Sequence, residues 1–207
     1  MISRNKNFLF IHIPKTGGNS IQNILAPYAD EKIVNKNNLQ DGVERFEVEH
    51  EHLKINKHSS LTDYKNQLDL MSFKDLYKFS VIRNPFDRLI SFYFSPHRQV
   101  NNWDKKEFIK LVESINPIKS YITLKRNLNI LSFNKNKLDK DLDFLIRFEN
   151  LEKDFEKVCK KLDIPFNGLP HRNKSNKENY KKYYDSELER LVLKKYKDEI
   201  EYGAYKL

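Results

Sequence analysis

Cys159 is the only cysteine, so no disulfide can form within the chain and no cysteine cluster can hold a metal. It stands in the series Leu151, Phe155, Val158, Cys159 and Leu162, whose spacing predicts one buried helical face. A thiol there is core material rather than a nucleophile. No apolar run approaches the ~20 residues needed to span a membrane. The stretch from Phe8 to Ile13 contains His12 and is too short for a signal-peptide core. A cytoplasmic protein without a membrane span is therefore the expectation. Acidic residues are also in deficit, 29 against 38 lysines and arginines, which leaves a net charge of +9 and calls for an anionic partner. Nucleic acid, an acidic polysaccharide and a phosphorylated co-substrate all meet that demand, and charge alone does not choose among them. Glycine is scarce, five in 207 residues, so the adjacent pair Gly17-Gly18 carries information. Aromatic residues are not scarce: 14 Phe and 11 Tyr supply much of the core.

A chain of 207 residues suits one domain, here 1–207, large enough for a substantial core. Phe8 to Ile13 reads as a buried strand that Pro14 and the glycine pair close into a tight loop, with a helix over Asn19 to Leu25. The order repeats at Phe79 to Ile82, followed by the turn Arg83-Asn84 and a helix that opens on Pro85. Further helices are predicted over Lys105 to Ser114 and Pro117 to Leu131. A third strand, Phe144 to Phe148, leads into a helix over Leu151 to Leu162, and the last predicted helix is Ser186 to Tyr196. Residues 28–57 and 134–141 are polar and commit to no element. Strands alternating with helices imply a three-layer α/β fold around a central parallel sheet. Ligands of such sheets bind at the carboxyl ends of the strands, where both loops of interest lie.

The first loop, Lys15-Thr16-Gly17-Gly18-Asn19-Ser20, collects the elements of an anion site. Glycine permits close backbone approach, a helix start offers unpaired N–H groups, and lysine, threonine and serine add a cation and two hydroxyls. A nucleotide kinase loop needs Gly-x4-Gly-Lys-Ser/Thr, whereas here the lysine precedes the glycines. The second loop continues as Arg83-Asn84-Pro85-Phe86-Asp87-Arg88-Leu89-Ile90-Ser91-Phe92-Tyr93. Arginine at a strand end can grip a phosphate with both arms of its planar fork.

Together the two segments resemble the signatures of sulfotransferases that use 3′-phosphoadenosine 5′-phosphosulfate (PAPS). The resemblance is to the carbohydrate sulfotransferases of the heparan sulfate 2-O-sulfotransferase type. It implies a P-loop-like phosphosulfate loop in which Lys15, Thr16, Gly17, Gly18, Asn19 and Ser20 hold the 5′-phosphosulfate, Lys15 also serving catalysis. It implies that Arg83 and Ser91 bind the 3′-phosphate. His58-Ser59-Ser60-Leu61-Thr62-Asp63-Tyr64 resembles the family segment whose histidine is the general base, which assigns that role to His58. Asn173-Lys174-Ser175 resembles an element that touches the donor, adding Lys174 and Ser175 to its contacts. Arg147-Phe148-Glu149-Asn150-Leu151 resembles a junction that is architectural. The implied reaction moves a sulfuryl group to a hydroxyl of an acceptor, a carbohydrate by resemblance, and releases adenosine 3′,5′-bisphosphate without a metal.

Glu49-His50-Glu51-His52 packs histidines and carboxylates closely enough to suggest zinc, but no further ligand set accompanies it, so no metal is expected. His50 and His52 share a face if the segment is extended, which makes them candidates for acceptor binding. Arg88 is expected to brace its helix, His12 to be structural, and His97 and His171 receive no role. Two rivals remain, a nucleotide-dependent phosphotransferase and a noncatalytic basic module for nucleic acid or another polyanion.

Overall fold

The computed structural model describes residues 1–40, 43–125, 137–169 and 180–207. Lys174, Ser175 and His171 lie outside them. In chain order the structure comprises β1 (Ile2–Ser3), β2 (Phe8–Ile11), α1 (Gly18–Leu25), β3 (Lys32–Gln40), β4 (Val43–Glu49), α2 (Leu61–Lys65) and α3 (Leu70–Asp75). There follow β5 (Tyr77–Ile82), α4 (Pro85–Tyr93), α5 (Lys105–Ser114), α6 (Lys119–Ile122), β6 (Phe144–Arg147), α7 (Leu151–Leu162), α8 (Ser186–Lys195) and α9 (Lys197–Gly203).

Four strands form the main sheet in the order β1-β2-β5-β6. The β2–β5 and β5–β6 pairs are parallel, with Phe8 opposite Tyr77 and Phe79 opposite Phe144, while β1 adds an antiparallel edge. The central sheet is thus parallel as expected and the whole sheet is mixed. All four residues of β2 are buried because both of its faces are covered. Phe8, Phe10, Phe79, Val81 and Ile146 point to one side and pack on Ile21 and Leu25 of α1 and Phe155, Val158, Cys159 and Leu162 of α7. Leu9, Ile11, Ile82 and Leu145 point to the other, against Leu61, Tyr64, Phe73, Ile118 and Ile122 from α2, α3 and α6. This alternation is the strand period made visible, and it yields an α/β protein of three layers. A third cluster outside the sheet joins α4, α5 and α8 through Phe86, Leu89, Tyr93, Phe108, Leu188 and Val192.

Local chemistry fixes the helix starts. Asn84 caps α4 by accepting from Phe86 N–H at 3.0 Å, and Pro85 fills the first helical position. Ser60 and Asp63 form a reciprocal capping box at α2. Two expectations need correction, and one stretch left open acquires structure. Of the helix foreseen from Pro117 to Leu131, the described part holds the short α6, which Thr123 ends in an extended conformation, and 126–131 lie outside the described residues. The chain does not stop being helical at Tyr196, since α9 follows it after a change of backbone angle there. The uncommitted stretch 28–57 holds a separate two-stranded antiparallel sheet of β3 and β4. No helix among the described residues is long and apolar enough to cross a membrane.

Candidate active site

The loop from His12 to Gly17 joins β2 to α1, and its backbone is unusual twice over. Gly17 has φ +82°, and a Cβ there would lie 2.9 Å from Leu151 Cδ2 and 3.0 Å from the Phe148 ring. Lys15 also takes a positive φ, 64°, although it is not glycine. Gly18, the first residue of α1, rests so closely on the His12 imidazole that any Cβ would collide with it. Gly17 is therefore required for its dihedral angle as well as its missing side chain, and Gly18 for its missing side chain.

The carbonyls of this loop have an orderly set of partners. His58 Nδ1 lies 2.9 Å from the His12 oxygen. Thr16 Oγ1 donates to the Ile13 oxygen at 2.9 Å. Arg88 Nε donates to the Pro14 oxygen at 3.1 Å, and Arg83 Nη1 to the Lys15 oxygen at 2.8 Å. Four consecutive acceptors are thus each occupied by a side chain. What a loop so tied can present to a ligand is N–H groups, backed by the N-terminus of α1. The loop is short of acceptors and rich in donors, which is the condition for holding an anion.

Each predicted site residue can now be placed. Lys15 is half-buried and its Nζ donates to Ser95 Oγ at 3.1 Å. Thr16 is fully buried with its hydroxyl committed to Ile13, so its offering to an anion is its main-chain N–H. Asn19 and Ser20 occupy the first turn of α1, Ser20 buried and Asn19 partly so. Arg83 follows β5 directly, is 6% exposed, and lies over the Phe148 ring at 4.2 Å. Asp87, one turn on, fixes the guanidinium through Nε at 2.9 Å and Nη2 at 2.8 Å. Ser91 lies further along α4, partly exposed. His58 is partly exposed just before α2 and contacts the His12 ring edge-on, with centroids 4.9 Å apart.

Arg88 braces the structure, though through carbonyls rather than a close ion pair. It is 1% exposed and bonds the Asn116 oxygen at 3.3 and 3.4 Å besides that of Pro14. Glu199 of α9 lies near enough to act on it electrostatically. Burial outweighs that attraction for both groups: the Arg88 guanidinium is lowered from its usual value, and the Glu199 carboxyl is raised to about 7. His12 is held well below its usual value by burial first, then by the charges of His58, Lys57 and the amino terminus. It is therefore a neutral imidazole.

His50 and His52 do not lie along an extended strand. The chain bends after β4, and His50 Nδ1 accepts from the N–H groups of His52 at 3.0 Å and Leu53 at 3.1 Å, which makes His50 the cap of a turn. His52 is exposed, 3.8 Å from Glu51. Among the described residues no trio of His, Cys, Asp or Glu is placed to hold a metal.

Sequence reasoning passed over Ser95, Asp87 and Phe148. Asp87 could have been noticed, being four residues after Arg83. Ser95 and Phe148 reach the loop only through tertiary packing. The junction at 147–149 is a hub of the fold. Glu149 accepts from Asn84 N–H at 3.0 Å and from the Tyr205 hydroxyl at 3.1 Å, and Arg147 holds the Gly203 oxygen at 3.0 Å.

A family model described as the sulfotransferase family matches residues 1–206 of the chain. No curated protein and no solved structure gives a significant match.

Proposed function

The chain belongs to the sulfotransferase family, whose activity is sulfuryl transfer, and on that premise we propose that it takes the group from PAPS and passes it to a hydroxyl of a carbohydrate acceptor. One observation carries the donor half of this reading. All four carbonyls from His12 to Lys15 are tied to side chains, so what the loop after β2 has left to offer a ligand is N–H donors, with the Lys15 cation in the same loop. PAPS supplies a sulfuryl group activated by attachment to a phosphate, with adenosine 3′,5′-bisphosphate as the leaving group.

The residues then divide the work. Lys15 offsets negative charge that builds on the departing phosphate oxygen, a contact stronger in the transition state than before it. The N–H groups from Thr16 to Asn19 hold the phosphosulfate, and Ser20, whose own N–H donates to the Gly17 oxygen at 3.2 Å, adds its hydroxyl. Arg83, held in one orientation by Asp87 and Phe148, anchors the 3′-phosphate together with Ser91. Lys174 and Ser175 complete the donor contacts. His58 removes the acceptor proton as the new S–O bond forms and the S–O bond to the phosphate breaks, in line with each other. No metal enters this scheme, because positioning and fixed charge supply the stabilisation. His52, exposed at the bend after β4, is available to an acceptor, while His50 helps to shape that bend.

Thermal-shift titration tests the reading against its rivals. Adenosine 3′,5′-bisphosphate should raise the melting temperature well above the effect of ATP or a single-stranded oligonucleotide at equal concentration. A larger shift with ATP would favour a phosphotransferase, and a larger one with the oligonucleotide a polyanion-binding module. Either result would end the PAPS assignment.

A further inference from the structure

Besides Lys15, Arg83 and His58, the region contains a second histidine whose side chain the scheme above does not use. His12 is the first residue of the loop after β2, and only 4% of its surface is exposed. Its ring lies between three fixed surfaces. Phe10 stacks on it at 5.8 Å with an interplanar angle of 18°, Gly18 abuts it without room for a methyl group, and the His58 ring meets it at 67°. A polar ring of this kind, clamped on three sides at the root of the anion loop, is costly to bury and is not demanded by the packing of β2.

Its main chain makes the decisive contact. A carbonyl oxygen only accepts, so the His58 nitrogen that meets it at 2.9 Å must be the protonated one. In the neutral ring the other nitrogen then keeps the lone pair. We infer that His12 is the positioning residue of the base: its carbonyl places the proton on His58 Nδ1 and leaves Nε2 to take the acceptor proton, while its ring holds His58 in register with the phosphosulfate loop. This rests on the reading of His58 as the base. The anion loop and the base thereby share one residue as their common support, so a displacement of either is a displacement of both.

The charge state agrees with that task. Burial is the main cause of the neutrality of His12, the charges of His58, Lys57 and the amino terminus add to it, and a side-chain hydrogen bond with Gln22 opposes it only in part. A neutral His12 lets His58 gain a proton during turnover without a second imidazolium at its side. No redox partner or additional reactant is involved; the proton moves from the acceptor oxygen to Nε2 while Nδ1–H stays on the His12 carbonyl.

The test is spectroscopic and needs no acceptor. Long-range proton–nitrogen spectra of the full, nitrogen-labelled chain, recorded well above the pKa of a free imidazole, report which ring nitrogen carries the proton. His58→Asn identifies the signals by their loss. We expect at least tenfold more Nδ1–H than Nε2–H form for His58 in the parent. A His58 found mainly as Nε2–H overturns the inference. His12→Phe keeps the carbonyl and the flat ring and should keep that preference. His12→Ala keeps the carbonyl but removes the ring and should lower the preference at least threefold; His12→Leu asks the same question should the alanine variant fail to fold. A preference unchanged in His12→Ala and His12→Leu would refute the role of the ring. The reading of His58 as the base fails by a separate sign: transfer from labelled PAPS at the parental rate by His58→Asn, whatever the tautomer.

Discussion

Replacing Glu199 with glutamine should flatten the dependence of stability on pH between about 4.5 and 7. Glu199 is 0% exposed, its Oε1 accepts from Ile118 N–H, and its Oε2 has no hydrogen-bond partner in the structure. Burial is the main cause that raises its carboxyl from 4.5 to about 7, and the nearby Arg88 only partly opposes it. A carboxyl with a raised pKa holds its proton longer in the folded chain than in the unfolded one. Its contribution to stability is then complete below the unfolded value of 4.5 and fades as pH rises through about 7. Each unit of difference corresponds to about 1.4 kcal/mol, so the full swing is roughly 3 kcal/mol. Glutamine retains an oxygen for Ile118 N–H but cannot titrate. Urea unfolding of both proteins at half-unit steps from pH 4.5 to 8 gives the difference directly. The parent should lose about 3 kcal/mol relative to Glu199→Gln over that range. Parallel curves, or a parent that gains on the variant as pH rises, would refute the reasoning about this buried group.

On the proposed scheme Lys15→Ala should lower kcat far more than it weakens binding of adenosine 3′,5′-bisphosphate, the charge being needed most as the phosphate departs; an unchanged rate of transfer from labelled PAPS would remove Lys15 from the chemistry. Arg83→Ala deletes a charged contact worth roughly 1.5–3 kcal/mol and also releases the Lys15 carbonyl, so calorimetry should find at least a tenfold loss of affinity for that nucleotide and a clearly smaller loss for its 3′-dephosphorylated form. If both nucleotides lose equally, Arg83 does not read the 3′-phosphate. Gly18→Ala forces a methyl group into the His12 ring and should destabilise the fold by about 1–3 kcal/mol while also weakening nucleotide binding. Native melting temperature and affinity in that variant would show that the loop yields more easily than its packing suggests.

The parts of this molecule that sequence made readable are those built by neighbours in the chain. Phe8 to Leu25 and Phe79 to Tyr93 each join a short apolar strand, a Gly or Pro break and a helix of clear period, and all of these signals are local. The β3–β4 hairpin was not readable, because Lys32, Asn35 and Lys36 interrupt any two-residue alternation and its pairing depends on contact between segments. The α6 helix looked longer in sequence because apolar residues continue beyond Ile122, yet the backbone turns extended at Thr123. At the site, the sequence named residue types but not the partners that their side chains take. Thr16 looked like a ligand hydroxyl and turned out to hold Ile13, while His50 looked like half of a binding pair and caps a turn. Such distinctions depend on which atom faces which, and spacing along the chain does not encode that.

The four tied carbonyls of the loop have a consequence for the life of the protein in solution. Apart from Thr16, the side chains that hold them come from 46, 74 and 68 residues away. An incompletely folded chain therefore has no loop of this shape and, on the proposed reading, no site for the nucleotide. A ligand that binds only the complete fold protects it by mass action, by about 2.7 kcal/mol when present at a hundred times its Kd. On the proposed reading, the supply of nucleotide would then govern how much intact chain survives proteolysis.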